Sequence, residues 1–299
     1  MKKDVAVRWC AARLEVGEGP RWIDGRLVLV DILAGALHET DGDRPGPLRQ
    51  LHRLSVPLGA VAPVAGAAGS WIVAAGRGFA LLDRSGGLDW LARPARGGVA
   101  PRRMNDGVCD PFGRFWAGCT AWDTTPGAGA LFRVDTDGAV TQVLDGITTP
   151  NGPAFSPDGR LLYLADSDRR VVDRFPVDPV TGALGERSPF VTFDAGGPDG
   201  MTVDVEGNLW VAVWGCGEVR QFTPAGVLKA VVAVPAPQVT APCLGGPAGT
   251  RLFITTAGYG RAADAADGCG DVFAVDVPTP GVPAATFGPL TRGGGRPGP

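Results

Sequence analysis

Short apolar runs, each set off by a polar turn, recur along this chain. The pieces are "DGRLVLVDI" at Asp24, "AGSWIVAAG" at Ala68 and "FGRFWAGCT" at Phe112, then "DGRLLYLAD" at Asp158, "EGNLWVAVW" at Glu206 and "GTRLFITTA" at Gly249. Their starts are spaced by 44, 44, 46, 48 and 43 residues, which makes six units of nearly equal length. A "DG" or "EG" between two apolar runs signals a hairpin, because its turn needs residues that tolerate positive φ. A second hairpin follows in several units, as in "GALFRVDTDGAVTQVL" and "GEVRQFTPAGVLKAVV". Four short antiparallel strands repeated six times at this period predict an all-β fold, a six-bladed β-propeller with four-stranded antiparallel blades. A β-sandwich is the competing architecture, but sandwiches rarely show sixfold self-similarity.

The same pattern sets the domain limits. Residues 1–290 are expected to form one propeller domain. The segment "DVAVRWCAA" reads as a strand that completes the last blade and closes the ring. Residues 291–299, within "TRGGGRPGP", carry no core-forming side chain and are expected to be a disordered tail.

Composition agrees and narrows the chemistry. The 299 residues include 46 Gly and 27 Pro, which suits many tight turns and few long helices. The net charge of −3 gives no reason to expect nucleic acid or an anionic membrane as partner. No apolar run reaches membrane-spanning length, and the start "MKKDVAVRWC" has no signal-peptide core. The six cysteines form no CxxC pair, which fits a reduced, cytoplasmic protein. The two histidines, His38 and His52, are too few for a multi-histidine zinc site and argue against a His-dependent triad.

In a propeller the innermost strands run the same way along the central channel, so matching positions of successive units converge at one end of it. Just before each inner hairpin stands a short polar knot. In order these hold Glu18 in "GEGPRW", Leu58 and Gly59 in "VPLGAV", Asn105 in "RMNDGV", Asn151 in "TPNGPA", Asp199 in "GPDGMT" and Cys243 in "APCLGG". Four units thus aim a carboxylate or amide oxygen at one point. Asn-Gly and Asp-Gly are also ordinary turn chemistry, but four at matching places point to a site. Carboxylates facing across a narrow channel raise each other's pKa, and a divalent cation relieves that. Oxygen-only donors suit Ca²⁺, Mg²⁺ or Mn²⁺, with Zn²⁺ or Fe²⁺ also able to bind.

At these residues the chain resembles the gluconolactonase, senescence marker protein, regucalcin and luciferin-regenerating-enzyme-like family. The matching pieces are "GEGPRW", "RMNDGVCDPFGRFWAG", "PNGPAFSPDGRLLYLADS" and "PDGMTVDVEGNLWVA", with a weaker "TAPCLGG". The resemblance implies a six-bladed propeller with one divalent metal in the channel mouth, held by Glu18, Asn151 and Asp199. It implies substrate contacts from Arg103 and Asn105. Several members hold a sugar hydroxyl with a Glu downstream, where this chain has the shorter Asp123. The implied reaction is hydrolysis of a sugar lactone to the aldonic acid. With two histidines and neither in a knot, a carboxylate must serve as general base, and Asp199 would lie beside the attacking water. Trp214 and Tyr259 stand near strand ends where they could stack on a sugar face or simply pack the rim. Cys243 reads as a small buried thiol. The expected partner is a small-molecule sugar lactone, and the expected assembly a monomer or weak homo-oligomer. Two other readings stay open: a non-catalytic propeller that binds Ca²⁺ or a partner, and a hydrolase of other esters or lactones.

Overall fold

The computed structural model describes residues 3–96, 100–261 and 267–288. The expected tail at 291–299 lies outside the described residues. Six antiparallel sheets stand around a central channel, one per sequence unit. Their innermost strands are Gly17–Ile23, Leu58–Pro63, Arg102–Cys109, Pro150–Phe155, Gly197–Val203 and Val239–Gly245, here blades 1 to 6. Among the described residues the one helical turn is the 3₁₀ segment Pro94–Arg96, and no helix is long and apolar enough to cross a membrane.

The second strand of each blade is buried on both faces, because it lies between neighbours in its own sheet and between adjacent blades. Arg26–Asp31, Trp71–Ala75, Phe115–Ala121 and Leu209–Trp214 are apolar nearly throughout for that reason. Aromatic rings fill the wedges between blades. Phe79 meets Phe115 and Phe132 edge-on at 6.1 and 6.2 Å. The inner hairpin of blade 1 turns at Asp24 and Gly25, with φ of 48° and 79°, as its "DG" predicts.

In blades 3 and 5 the turn is built round a buried carboxylate. Asp110 accepts from the N–H groups of Phe112 and Arg114, from Arg114 Nε and from the Trp116 indole. Asp204 accepts from Glu206 N, Asn208 N, the Trp210 indole and Gln221 Nε2. The buried donors around each carboxylate thereby find a partner away from water.

The ring closes as the sequence suggests, with one addition. Val7–Cys10 forms the outer strand of blade 6, antiparallel to Val272–Asp276. Lys3–Val5 goes further and adds a fifth strand to blade 5, parallel to Leu228–Ala233. At the other end of the chain, the residues after blade 6 cross the far mouth of the channel. Asp204 bridges to Gly281 and Val64 to Phe287, which is fully buried.

Candidate functional site

The strand register shows which knot residues are equivalent. Asn151 lies opposite Ala165, and Glu18 opposite Val30, each followed by a bulge. Gly59, Asn105 and Asp199 stand at the start of the matching bulges in their blades, one residue after the paired Leu58, Met104 and Pro198. Blade 6 corrects the sequence reading. Cys243 pairs with Phe253 and so matches Arg21, which pairs with Val28, three residues beyond the ring of knots. The residue at the knot level is Thr240. It is fully buried and its hydroxyl bonds to Gly17 O and Thr255 Oγ1. The match of "APCLGG" to the other knots was one of composition, and pairing overrides it. Cys243 is buried, and burial pushes its thiol up to about 11.

Buried clips hold the ring in place. Asp31, at the end of the second strand of blade 1, accepts from Glu15 N and Val16 N at 2.8 and 3.0 Å, just ahead of Glu18. Asp166 does the same in blade 4, accepting from Thr148 N and Thr149 N just ahead of Asn151. The close approach of inner strands demands glycine at Gly59, where a Cβ would meet the carbonyl oxygen of Asn105 at 2.4 Å.

A chain of hydrogen bonds links three blades across the channel mouth. Arg103 donates to Asn105 Oδ1 at 2.6 Å. Asn105 Nδ2 donates to Pro150 O and to Asn151 Oδ1. Asn151 Nδ2 donates to Ser167 Oγ at 2.8 Å, and Ser167 donates onward to Pro198 O. The amide groups of Asn105 and Asn151 are thus held in one orientation.

Beside this chain lie the carboxyls. Glu18, Asp106 and Asp199 are all buried. Burial, then repulsion from Asp106 and Asp199, holds the Glu18 carboxyl well above its usual range. Asp199 is raised in the same way, by burial first and Asp106 second, while a hydrogen bond with Glu18 opposes the rise. Arg103 is half-buried; desolvation pulls its guanidinium down from the usual range, and the carboxyls of Glu18 and Asp199 oppose that shift. Asp106 was not singled out in the sequence. It accepts from Gly107 N at 2.7 Å and from Gly152 N at 3.0 Å, so it ties the inner strand of blade 3 to the residue after Asn151. One signal was available: the residue after the knot is Gly19, Gly152 and Gly200 in three units but an aspartate in "RMNDGV".

Glu18, Asn105, Asn151 and Asp199 floor an open cavity of about 640 Å³. Trp122, Trp214 and Tyr259 line its wall, together with Arg103 and Thr149. Arg103 lies 5.5 Å from the Trp122 ring centre. Asp123 stands apart: its exposed carboxylate accepts from Thr125 N and Oγ1, and its neighbour Trp122 faces the cavity instead. Cys243 and Arg21 line a different cavity, of about 420 Å³, at the opposite end of the channel. His38 and His52 lie on the two outer strands of blade 1.

Fold and cluster together define a β-propeller with an oxygen-rich centre at one mouth of its channel. The chain belongs to the SMP-30/gluconolactonase/LRE-like family, whose model matches residues 16–258. It is 36% identical to the pentonolactonase XacC of Haloferax volcanii over 283 residues, 90% of this chain and 93% of that protein. It is 34% identical to regucalcin of Danio rerio over 265 residues, covering 84% and 86% of the two chains. The crystal structure of a calcium-binding regucalcin from Agrobacterium tumefaciens matches with a TM-score of 0.86 at 28% identity, over 96% of this chain and 99% of that one.

Proposed function

We propose that this protein hydrolyses a sugar lactone to the open aldonic acid, with one divalent cation held by Glu18, Asn151 and Asp199. The observation that carries the reading is the buried cluster of these side chains beneath Arg103, on the floor of an open cavity. Among the described residues no three His, Cys, Asp or Glu side chains form a metal cluster, so the set reaches three donors only with the amide oxygen of Asn151. Two carboxylates and an amide oxygen suit a hard cation. Such a cation would also favour the charged forms of Glu18 and Asp199, which burial first and the neighbouring Asp106 second disfavour. The lactonase and regucalcin relatives support the substrate and the metal respectively.

When bound, the cation supplies Lewis acidity at the lactone carbonyl. The chain does the rest. Arg103 donates N–H groups to substrate oxygens from the cavity side. Asn105 faces the same cavity and fixes Arg103 through its Oδ1. The Asp199 carboxylate takes the proton from a water whose oxygen adds to the carbonyl carbon. The ring C–O bond then breaks, and the ring oxygen leaves as a hydroxyl carrying that proton. The aromatic wall of Trp122, Trp214 and Tyr259 offers flat apolar surface to the sugar ring.

A panel of aldonolactones, assayed after exhaustive chelation and re-addition of single cations, tests this. Turnover should vanish on chelation and return with one divalent cation per chain. Full turnover in a verified metal-free sample would overturn the metal assignment. Tight Ca²⁺ binding with no turnover of any lactone would favour the non-catalytic reading that the regucalcin relatives raise.

A further inference from the structure

Past the rim of the candidate site lies a second cavity, of about 630 Å³. Arg77, Arg93, Arg96, Arg102 and Arg103 line it, and no acidic side chain does. Five of the chain's 28 basic residues therefore face one space in a protein whose net charge is −3. Arg77, Arg93 and Arg96 are exposed at its edge, and among the described residues no carboxylate pairs with any of them. Arg93 instead stacks on the Trp90 ring at 4.2 Å. Guanidinium groups that face one space without a carboxylate partner repel one another, and a bound oxyanion relieves the repulsion with forked hydrogen bonds.

Two side chains give the cavity a direction. Arg103 and Trp122 line both this space and the candidate site, so one wall separates the guanidinium cluster from the carboxyl cluster. A ligand that spans the wall meets opposite fields at its two ends. The carboxyls of Glu18 and Asp199 leave the channel centre without net attraction for a negative group, and the arginine cluster attracts it.

We infer that the arginine-lined cavity is a subsite for a strongly acidic substituent of the substrate. This inference rests on the lactonase reading and names its substrate class. The preferred substrate is an aldonolactone that carries an oxyanion such as phosphate, sulfonate or carboxylate at the end remote from its lactone carbonyl. The neutral sugar ring sits against Trp122, the carbonyl faces the carboxyl cluster, and the oxyanion sits among Arg77, Arg93 and Arg96. No extra chemical step is involved. The subsite contributes binding, so its effect falls on KM more than on kcat.

The test compares glucono-1,5-lactone with its 6-phosphate, 6-sulfonate and 6-carboxylate counterparts on the metal-loaded protein. The variants are Arg77→Ala, Arg96→Ala and the double substitution, all outside the proposed catalytic set. The best charged lactone should exceed the neutral one in kcat/KM by about 10-fold or more, the scale of charge-assisted contacts. That advantage should shrink at raised salt and nearly vanish in the double variant, while turnover of the neutral lactone stays unchanged. The three substituents show which oxyanion fits. A parallel titration measures binding of gluconate, 6-phosphogluconate and inorganic phosphate, independent of catalysis. Tighter binding of 6-phosphogluconate that depends on Arg77 and Arg96, without turnover of any lactone, would keep the subsite and sink the lactonase reading. Equal hydrolysis of charged and neutral lactones, or a charge preference that survives the double substitution, would overturn the subsite alone. Inorganic phosphate binding as tightly as 6-phosphogluconate would overturn the sugar-linked ligand.

Discussion

Asn151 and Asp199 hold the same level in consecutive blades, yet only one is charged, so they should fail differently. Asp199→Asn keeps an oxygen donor and nearly the same shape, but its amide cannot take a proton. Metal content should persist at least in part, while kcat falls by about 10²-fold or more, the usual scale for a lost general base. Asn151→Asp keeps an oxygen and should retain measurable activity. If, side by side, Asp199→Asn proved the faster enzyme, the base assignment would be wrong. Arg103→Ala should lower kcat/KM and leave metal content near one per chain, because a guanidinium is no ligand. Asp106 makes a further case. Asp106→Ala removes the acceptor for Gly107 N and Gly152 N and so frees the strand that carries Asn151. We expect about 1–3 kcal/mol of lost stability from the stranded donors, read by denaturant melting, together with weaker metal retention by dialysis. At this scale the sequence reads well where the repeat frame is intact. Glu18, Asn105, Asn151 and Asp199 could be placed because each sits beside a glycine or aspartate turn pair. Asp106 could not, because it looks like half of a turn and its work is done through backbone N–H groups of its own blade and the next. Cys243 was misplaced because blade 6 carries Thr240 at the ring, and a threonine in an apolar run gives no sign of itself.

The elements show the same division. Strand order was legible because every inner hairpin has its own turn and every second strand its own apolar run. The fifth strand on blade 5 was not, since Lys3–Val5 and Val7–Cys10 are a single polar-apolar stretch that divides between two blades. What sets the spacing between inner strands is also hidden in sequence, because it depends on which backbone faces which. Gly59 shows it. Its neighbour in space is the backbone of Asn105, so a methyl group there has no room. Gly59→Ala should cost about 1–3 kcal/mol as an overpacked contact and should disturb activity more than that, because the strand it displaces carries Arg103 and Asn105. Thermal melting and lactone turnover on one sample check both effects. A variant that melted and worked like the parent would show that the inner strands tolerate wider spacing.

At the level of the whole molecule, three buried carboxyls at the centre link stability to pH. Glu18, Asp106 and Asp199 are all raised in the folded protein. The folded state therefore holds protons that the unfolded chain releases, and stability falls as pH rises from the ordinary carboxylate range through the raised folded values. The metal-free protein should accordingly melt at a higher temperature near pH 5 than near pH 8. Added cation should raise the melting temperature more at pH 8, where it competes with fewer protons. A flat profile without metal would mean that the three groups do not share the channel centre. Phe287 tests the far mouth in the same way. It is fully buried where the final described segment packs on blades 2 and 3, and Phe287→Ala should cost about 3–5 kcal/mol.

The manner of ring closure has a consequence for how the chain is made. Val7 pairs with Ala274 and Lys3 with Val231, so the first two strands find partners only after most of the protein exists. At ordinary elongation rates of about 5–20 residues per second, that interval is on the order of tens of seconds. Blades 1 to 4 can each assemble as they emerge, from strands that follow one another in the chain. Blade 6 cannot, and blade 5 is left with an open edge. The nascent protein is therefore an arc with a dangling lead strand and a waiting edge, which a second nascent copy held nearby could fill in its place. The step most sensitive to crowding on the ribosome is the docking of residues 3–10, and slow translation of the last two blades prolongs that exposure.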